Sequence, residues 1–399
     1  MWRGRPVWAE IDLEAIAHNT QELRRRIGGR SELLAVVKAN GYGHGAVPVA
    51  REALANGAQR LGVACVDEGI QLRRAGVTAP ILILGYTPCW EAERVVQNRL
   101  IPTVTTRQFA LALARFSTEL GTVTPAHIKV DTGMNRLGLR PGEAAEFADA
   151  IRTLPGIHVE GIYTHFATAD EAEKSFTERQ FRDFLRTSEA VEWIEVRHAA
   201  NSAAILDRPE MLLDMVRPGI SVYGCYPSKH VSRSLGIRPS LQLKSTIGRI
   251  QELEPGETVS YGRTWAASHP SRIALVTIGY ADGLPRRLSN RGVVLIRGKR
   301  APIVGRITMD WCMADVTGIP EASLNDEVVV IGRQGEEEIT ADEVAEMADT
   351  ISYEILCGIS ARVPRLYKRD GDVVSVRSLV DEGCYQDSQE PMKQEELGS

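Results

Sequence analysis

The chain has 399 residues, 43% hydrophobic and 25% charged, enough for two globular domains of unequal size. No apolar run reaches the ~20 residues of a membrane-crossing helix, and the opening MWRGRPVWAEIDLEAI lacks an apolar signal core, so a cytoplasmic protein with no membrane partner is expected. Its 47 basic and 52 acidic side chains are well mixed for a net charge of −5, which leaves no basic stripe for nucleic acid.

Between residue 30 and about 220, short β-branched runs alternate with helical stretches, the pattern of repeated βα units with parallel strands. Eight strands are predicted: LLAVVKA (33–39), RLGVACV (60–66), APILILG (79–85), IPTVTT (101–106), PAHIKVD (125–131), HVEGIYTH (158–165), WIEVRHAA (193–200) and MVRPGISV (215–222). Amphipathic helices such as VPVAREALANG separate them, and Ser175 with Glu178 reads as a helix-capping box. The count favours a (β/α)8 barrel over an open doubly wound sheet.

After about residue 235 the character changes. LQLKSTIGRIQEL, ETVSYGR, RIALVTIGY, GVVLIRGKRAPIVGRITM and EVVVIGR are short strands with Gly, Pro and Asn-Asp turns, predicting a mainly antiparallel β domain. One helix is expected inside it, starting at Thr340-Ala-Asp-Glu343 and running through EVAEMADTISYEILCGI. The expected division is therefore a barrel over 1–235, a β domain over 236–385 and a polar tail over 386–399, frayed from about Gly383. Six scattered cysteines (Cys65, Cys89, Cys225, Cys312, Cys357, Cys384) show no zinc-site spacing, so reduced thiols and no metal are expected.

Lys38 ends an apolar strand just before Ala-Asn-Gly-Tyr-Gly-His-Gly, at the end of a barrel where catalytic groups gather. Partial desolvation there depresses an amine's pKa and suits it to Schiff-base chemistry; the plainer alternative is a lysine reaching from a strand end into solvent. Glycines 41, 43 and 45 around Tyr42 allow close backbone approach but match neither a Rossmann fingerprint nor a P-loop. The same rim gathers Lys129, Asp131, Arg136, Tyr163, His165, His198, Asn201, Ser202 and Arg217-Pro-Gly219. Each has a structural alternative: His165 a satisfied histidine, Ser202 a helix N-cap, and Arg217-Pro-Gly a strand-to-turn boundary.

These residues lie in nine motifs, in order: AVVKANGYGHG, HIKVDTGMNRLG, GIYTHFATAD, HAANSAA, VRPGISVYG, VSYGRTW, IGYADGLPR, VGRITMD and TISYEIL. Together they resemble the alanine racemases, pyridoxal 5′-phosphate enzymes of fold type III, from Pro6 to Tyr367. The resemblance implies a (β/α)8 barrel plus β domain, an obligate head-to-tail homodimer, and interconversion of L- and D-alanine that supplies peptidoglycan. It implies Lys38 as the lysine that carries the cofactor and as the base on one face of the substrate Cα, with Tyr261 of the other subunit acting on the opposite face. Tyr42, Ser202, Gly219, Ile220 and Tyr353 would hold the phosphate, His165 would pack on the ring, and Arg217 would donate to the ring nitrogen. Arg136 and the Met309 backbone would bind the substrate carboxylate, with Lys129 in support and carbamylated in many members. Asp170, Tyr280, Arg286 and Arg306 would line the access corridor, and Tyr353 would crowd side chains larger than methyl.

Gly41, where alanine is frequent, and Trp311, where a polar residue is frequent, depart from the family pattern. The alternatives are a broad-specificity or serine racemase of the same fold, a related decarboxylase, disfavoured by Arg217 at the ring nitrogen, and a cofactor carrier, disfavoured by the β domain.

Overall fold

The structure is a computed structural model that describes residues 4–380. Eight parallel strands form one sheet: Glu32–Val36, Arg60–Val63, Ile81–Ile83, Ile101–Val104, Thr124–Lys129, Ile157–Tyr163, Val196–His198 and Met215–Val216. The last strand pairs back onto the first, and a bridge between Asn201 and Arg217 joins it to the seventh, which closes the barrel. All eight predicted strands are present. The first ends at Val36 and the last at Val216, because the residues beyond them turn to build the barrel mouth.

These strands read as near-continuous apolar runs because helices cover their outer faces and side chains fill the interior. Leu33, Leu34, Ala35, Leu61, Ile81, Ile83, Ile128 and Ile162 are fully buried. Each buried leucine or isoleucine among them contributes roughly 1.5–3 kcal/mol.

The second domain is built on Leu241–Leu253, which pairs antiparallel with Ser271–Val276 and Glu327–Gln334. The strand Val7–Asp12 belongs to this sheet although it opens the chain. It lies antiparallel to Leu241–Leu253 and parallel to Arg365–Arg369. The expected boundary, a barrel over 1–235, differs here because local pattern cannot tell which sheet a lone strand joins.

Three local expectations are corrected. Ser175 does not cap its helix, because Lys174 is the N-cap and the Ser175 hydroxyl donates instead to Glu173 at 2.9 Å. Asn201, not Ser202, caps the helix Ser202–Asp207, with its side chain accepting from the Ala204 N–H. The expected long helix after Thr340 is two, Ala341–Ala348 and Ser352–Cys357, broken where Asp349 adopts φ 57°. Thr340 does cap the first, accepting from the Glu343 N–H at 3.1 Å.

Cys65, Cys89, Cys225, Cys312 and Cys357 are free thiols; Cys384 and the expected tail lie outside the described residues. Among the described residues no helix is long and apolar enough to cross a membrane, and no cluster of metal-ligating side chains occurs.

Candidate active site

Lys38 follows the first barrel strand and stands at the start of a run in which Ala39, Asn40, Gly41 and Tyr42 all have φ between 49° and 60°. Left-handed backbone costs non-glycine residues about 1 kcal/mol each, so the run persists only because bonds fix it. The Gly41, Gly43 and Gly45 amides donate to the carbonyls of Val37, Ala39 and Asn40, and the Asn40 side chain accepts from the Ala46 N–H. The turn swings Tyr42 inward against Tyr223, with ring centroids 4.8 Å apart.

Arg217 is buried at the start of the turn after the last strand. It donates to the Thr164 and Ala199 carbonyls at 2.7 and 3.0 Å and to His198 Nδ1 at 2.7 Å. Its guanidinium lies over the Tyr163 ring, 5.1 Å from the centroid, and Lys129 Nζ lies 5.4 Å from the same centroid. A single aromatic platform therefore supports two cations.

Lys38, Lys129, Arg136 and Arg217 are electrostatic neighbours. Among the described residues none of the four forms an ion pair with a carboxylate. Burial, then Arg136, lowers the Lys38 pKa, and burial with Arg136 and Arg217 lowers that of Lys129 to about 8. Burial lowers Arg217 to about 10, so it stays charged at neutral pH, and burial beside these cations holds His165 well down and neutral. Asp131 shapes the Arg136 loop by accepting from the N–H groups of Gly133, Asn135 and Arg136 at 2.9–3.0 Å.

Ser202 Oγ accepts from the Gly219 N–H at 2.9 Å, tying the turn before Ile220 to the helix start. A Cβ at Gly219 would stand 2.5 Å from the Tyr42 hydroxyl, so only glycine leaves that space open. Tyr353 completes this side, its ring 6.0 Å from that of Tyr42 and within electrostatic reach of Asp170. Burial raises both phenols well above the usual value and keeps them as hydroxyl donors.

The other expected residues form a second group on the β domain. Tyr261 is 72% exposed in the short turn Tyr261–Arg263, where a Cβ at Gly262 would meet the Arg306 guanidinium. Tyr280 and Met309 share a hydrogen-bonded corner, with Tyr280 and Ala281 N–H donating to Thr308 and Met309 carbonyls at 3.0 Å. Arg286 is exposed at the start of its own short turn. None of the hydrogen bonds among the described residues joins Tyr261 to the group around Lys38.

Behind Arg217 lies a polar relay through the barrel that sequence reasoning missed. His198 Nε2 meets His127 Nδ1 at 2.8 Å, His127 Nε2 meets Glu160 at 3.0 Å, and Glu160 pairs with Arg60, which also holds Glu32. Arginine can only donate, so His198 accepts at Nδ1 and carries its proton on Nε2; His127 then donates to Glu160. Glycine at 161 makes the room, since a Cβ there would stand 2.5 Å from the His127 ring. The available signal was period two: His127 shares a strand face with Lys129.

The description "Alanine racemase, N-terminal domain" matches residues 11–227, and "Alanine racemase, C-terminal domain" matches 240–367. The alanine racemase of Halothermothrix orenii is 46% identical over 368 residues, 91% of this chain and 97% of that protein. That of Carboxydothermus hydrogenoformans is 48% identical over 369 residues, 91% and 100% of the two chains. The crystal structure of the Bacillus anthracis alanine racemase with bound L-Ala-P has a TM-score of 0.90 at 40% identity, covering 96% of this chain and 100% of that one. With both domains matched and the barrel mouth carrying the expected lysine and arginines, the chain belongs to the alanine racemase family and is an amino-acid racemase.

Proposed function

We propose that the protein interconverts L- and D-alanine using pyridoxal 5′-phosphate held at the barrel mouth, between Lys38 of one protomer and Tyr261 of its partner in a head-to-tail homodimer. The observation that carries this reading is the charge of the mouth. Four cations crowd together without a paired carboxylate, a surplus that a phosphate and a substrate carboxylate neutralise.

The residues fit that cofactor. Lys38, with its depressed pKa, is a usable nucleophile toward an aldehyde. Tyr42, Tyr353, Ser202 and the backbone at Gly219 and Ile220 offer neutral donors for a phosphate, in a space that a Cβ at Gly219 would fill. Arg217 supplies a donor for the ring nitrogen, and His165 an uncharged ring to pack on the cofactor.

When bound, pyridoxal 5′-phosphate withdraws electrons from the substrate Cα and makes its hydrogen acidic. Inversion needs a proton removed from one face and delivered to the other. Lys38 Nζ serves one face and the phenol of the partner's Tyr261 the other. The exposure of Tyr261 and of Met309, 72% and 53%, supports their completing a site across a subunit boundary. Arg136 and the Met309 backbone hold the substrate carboxylate, and Lys129 supports Arg136. Because Arg217 keeps its proton, it leaves the ring nitrogen largely unprotonated, which restrains side reactions such as transamination and disfavours decarboxylation.

Tyr353 crowds side chains beyond methyl, and Asp170, Tyr280, Arg286 and Arg306 line the approach, so alanine is preferred over serine, lysine and arginine. D-alanine made in the cytoplasm for peptidoglycan is the matching role. The test is chiral analysis of products after incubating the cofactor-loaded protein with L-alanine, L-serine and L-lysine. D-alanine forming far faster than the others supports the reading; comparable rates remove the size filter, and no D-product overturns the racemase assignment.

A further inference from the structure

The left-handed run after Lys38 begins with an amide that no strand partner can satisfy. Ala39 lies beyond the end of its strand, and its N–H donates to Glu68 Oε1 at 2.6 Å. The other oxygen, Glu68 Oε2, accepts from the Ala64 N–H at 2.7 Å, just past the end of the neighbouring strand. One carboxylate therefore bridges the mouth ends of two adjacent barrel strands. Glu68 stands in the first turn of the helix Val66–Arg74, where a negative charge is favoured by the helix dipole. The same carboxylate lies within electrostatic reach of Lys38.

We infer that Glu68 is a positioning residue for the proposed reaction: its two-pronged hold on Ala39 and Ala64 fixes the left-handed turn that presents Lys38 and Tyr42. This inference rests on the role given to Lys38 above. Both acceptor oxygens are needed. Glutamine has nearly the same shape but only one acceptor, so in Glu68→Gln an amide NH2 would face the N–H of Ala39 or of Ala64, donor against donor.

The groups facing Lys38 define the charge effect. Arg136 and Lys129 disfavour the protonated amine, Glu68 and Cys357 favour it, and the neutral His165 lies nearby; of these Glu68 is the carboxylate. Its removal weakens the opposition to the neighbouring cations, so Lys38 gives up its proton at lower pH.

The test is Glu68→Gln in the full chain, with Asp67→Asn, one residue earlier in the same helical turn, as the control. Amide hydrogen exchange needs no substrate, and at Ala39 and Ala64 it is expected to quicken about tenfold or more in Glu68→Gln and not in Asp67→Asn. In the cofactor-loaded enzyme Lys38 is tied to the cofactor until substrate displaces it, so its amine is reported by kcat; kcat for L-alanine is expected to fall while its acid limb moves to lower pH, a shift that simple loosening of the fold would not produce. A folded Glu68→Gln protein with either readout at the unaltered value overturns the inference. If that variant does not fold, Glu68→Asp, which keeps the charge but is too short to span both amides, must show the faster exchange with the acid limb in place. Failure of the unaltered chain to make D-alanine would count against the proposed reaction, while the exchange measurement would still judge Glu68.

Discussion

Lys129 combines burial with two neighbouring arginines, and the resulting drop to about 8 leaves an appreciable fraction of neutral amine at physiological pH. Such an amine adds carbon dioxide, losing one proton to form a carbamate, and the anion would sit beside Arg136, where positive charge is in surplus. Intact-mass analysis of native protein in bicarbonate should find one added carbon dioxide, lost in Lys129→Ala. At Lys38 the expected outcome is sharper: Lys38→Ala removes racemisation and the visible absorbance of lysine-bound cofactor. On the proposed two-face mechanism, Tyr261→Phe should impair Cα deuterium exchange more from one enantiomer than from the other. Lys38 and Arg217 were legible in the sequence because each follows an apolar strand whose end must face a barrel mouth. For Ser202 a cap was the plainer alternative to holding phosphate, because serine at a helix start usually is one; here Asn201 caps the helix and the Ser202 hydroxyl serves Gly219 in the next turn. Glu68 had no signal at all, since acidic residues in a first helical turn are commonplace.

Elements add effects that single residues do not show. The relay from Arg217 through His198 and His127 to Glu160 crosses three strands, so although Arg217 and His198 stood out singly, His127, Glu160 and the connection were invisible until the sheet brought them together. Burial works against the Glu160 carboxylate, but His127 and Arg60 hold its pKa down to about 2, against 4.5 for a free side chain. The stabilisation is therefore complete above about pH 4.5 and lost as pH falls toward 2. Glu160→Gln keeps one acceptor for His127 but turns an NH2 toward Arg60, and should cost roughly 1–3 kcal/mol in urea unfolding at neutral pH. It should also flatten the loss of stability between pH 4.5 and 2. The helix after Thr340 shows the opposite limit of sequence reading. Its cap was legible, but its break at Asp349 was not, because nothing in ADTIS is a strong helix breaker and tertiary packing decides the turn.

At the scale of the molecule, one chain carries two separate groups: the cations at the barrel mouth, and Tyr261 with Met309 on the β domain. If these meet across a dimer, inactive Lys38→Ala and Tyr261→Phe proteins should rescue each other when mixed and refolded. A hybrid dimer holds one intact site and one doubly altered site, so recovery should approach about a quarter of the unaltered activity. No recovery would place both groups within one chain. Specific activity should also fall on dilution below the dimer dissociation constant, measurable beside sedimentation. The two-domain plan was legible because strand spacing changes near residue 235 from helix-separated to turn-separated, and the periodicity of each half is self-consistent. The sheet membership of Val7–Asp12 was not, since its partners lie more than two hundred residues away.

That first strand sets an order of events for the growing chain. Val7–Asp12 leaves the ribosome before any of the barrel, yet its antiparallel partner Leu241–Leu253 follows about 230 residues later and its parallel partner Arg365–Arg369 comes near the end. At roughly 5–20 residues per second the strand waits on the order of ten to fifty seconds, its apolar face without a sheet. The barrel can close during that wait; the β domain cannot. A truncation that removes the first twelve residues should therefore spare early barrel formation and strike the second domain, releasing a nascent protein whose aggregation begins at its last-made half.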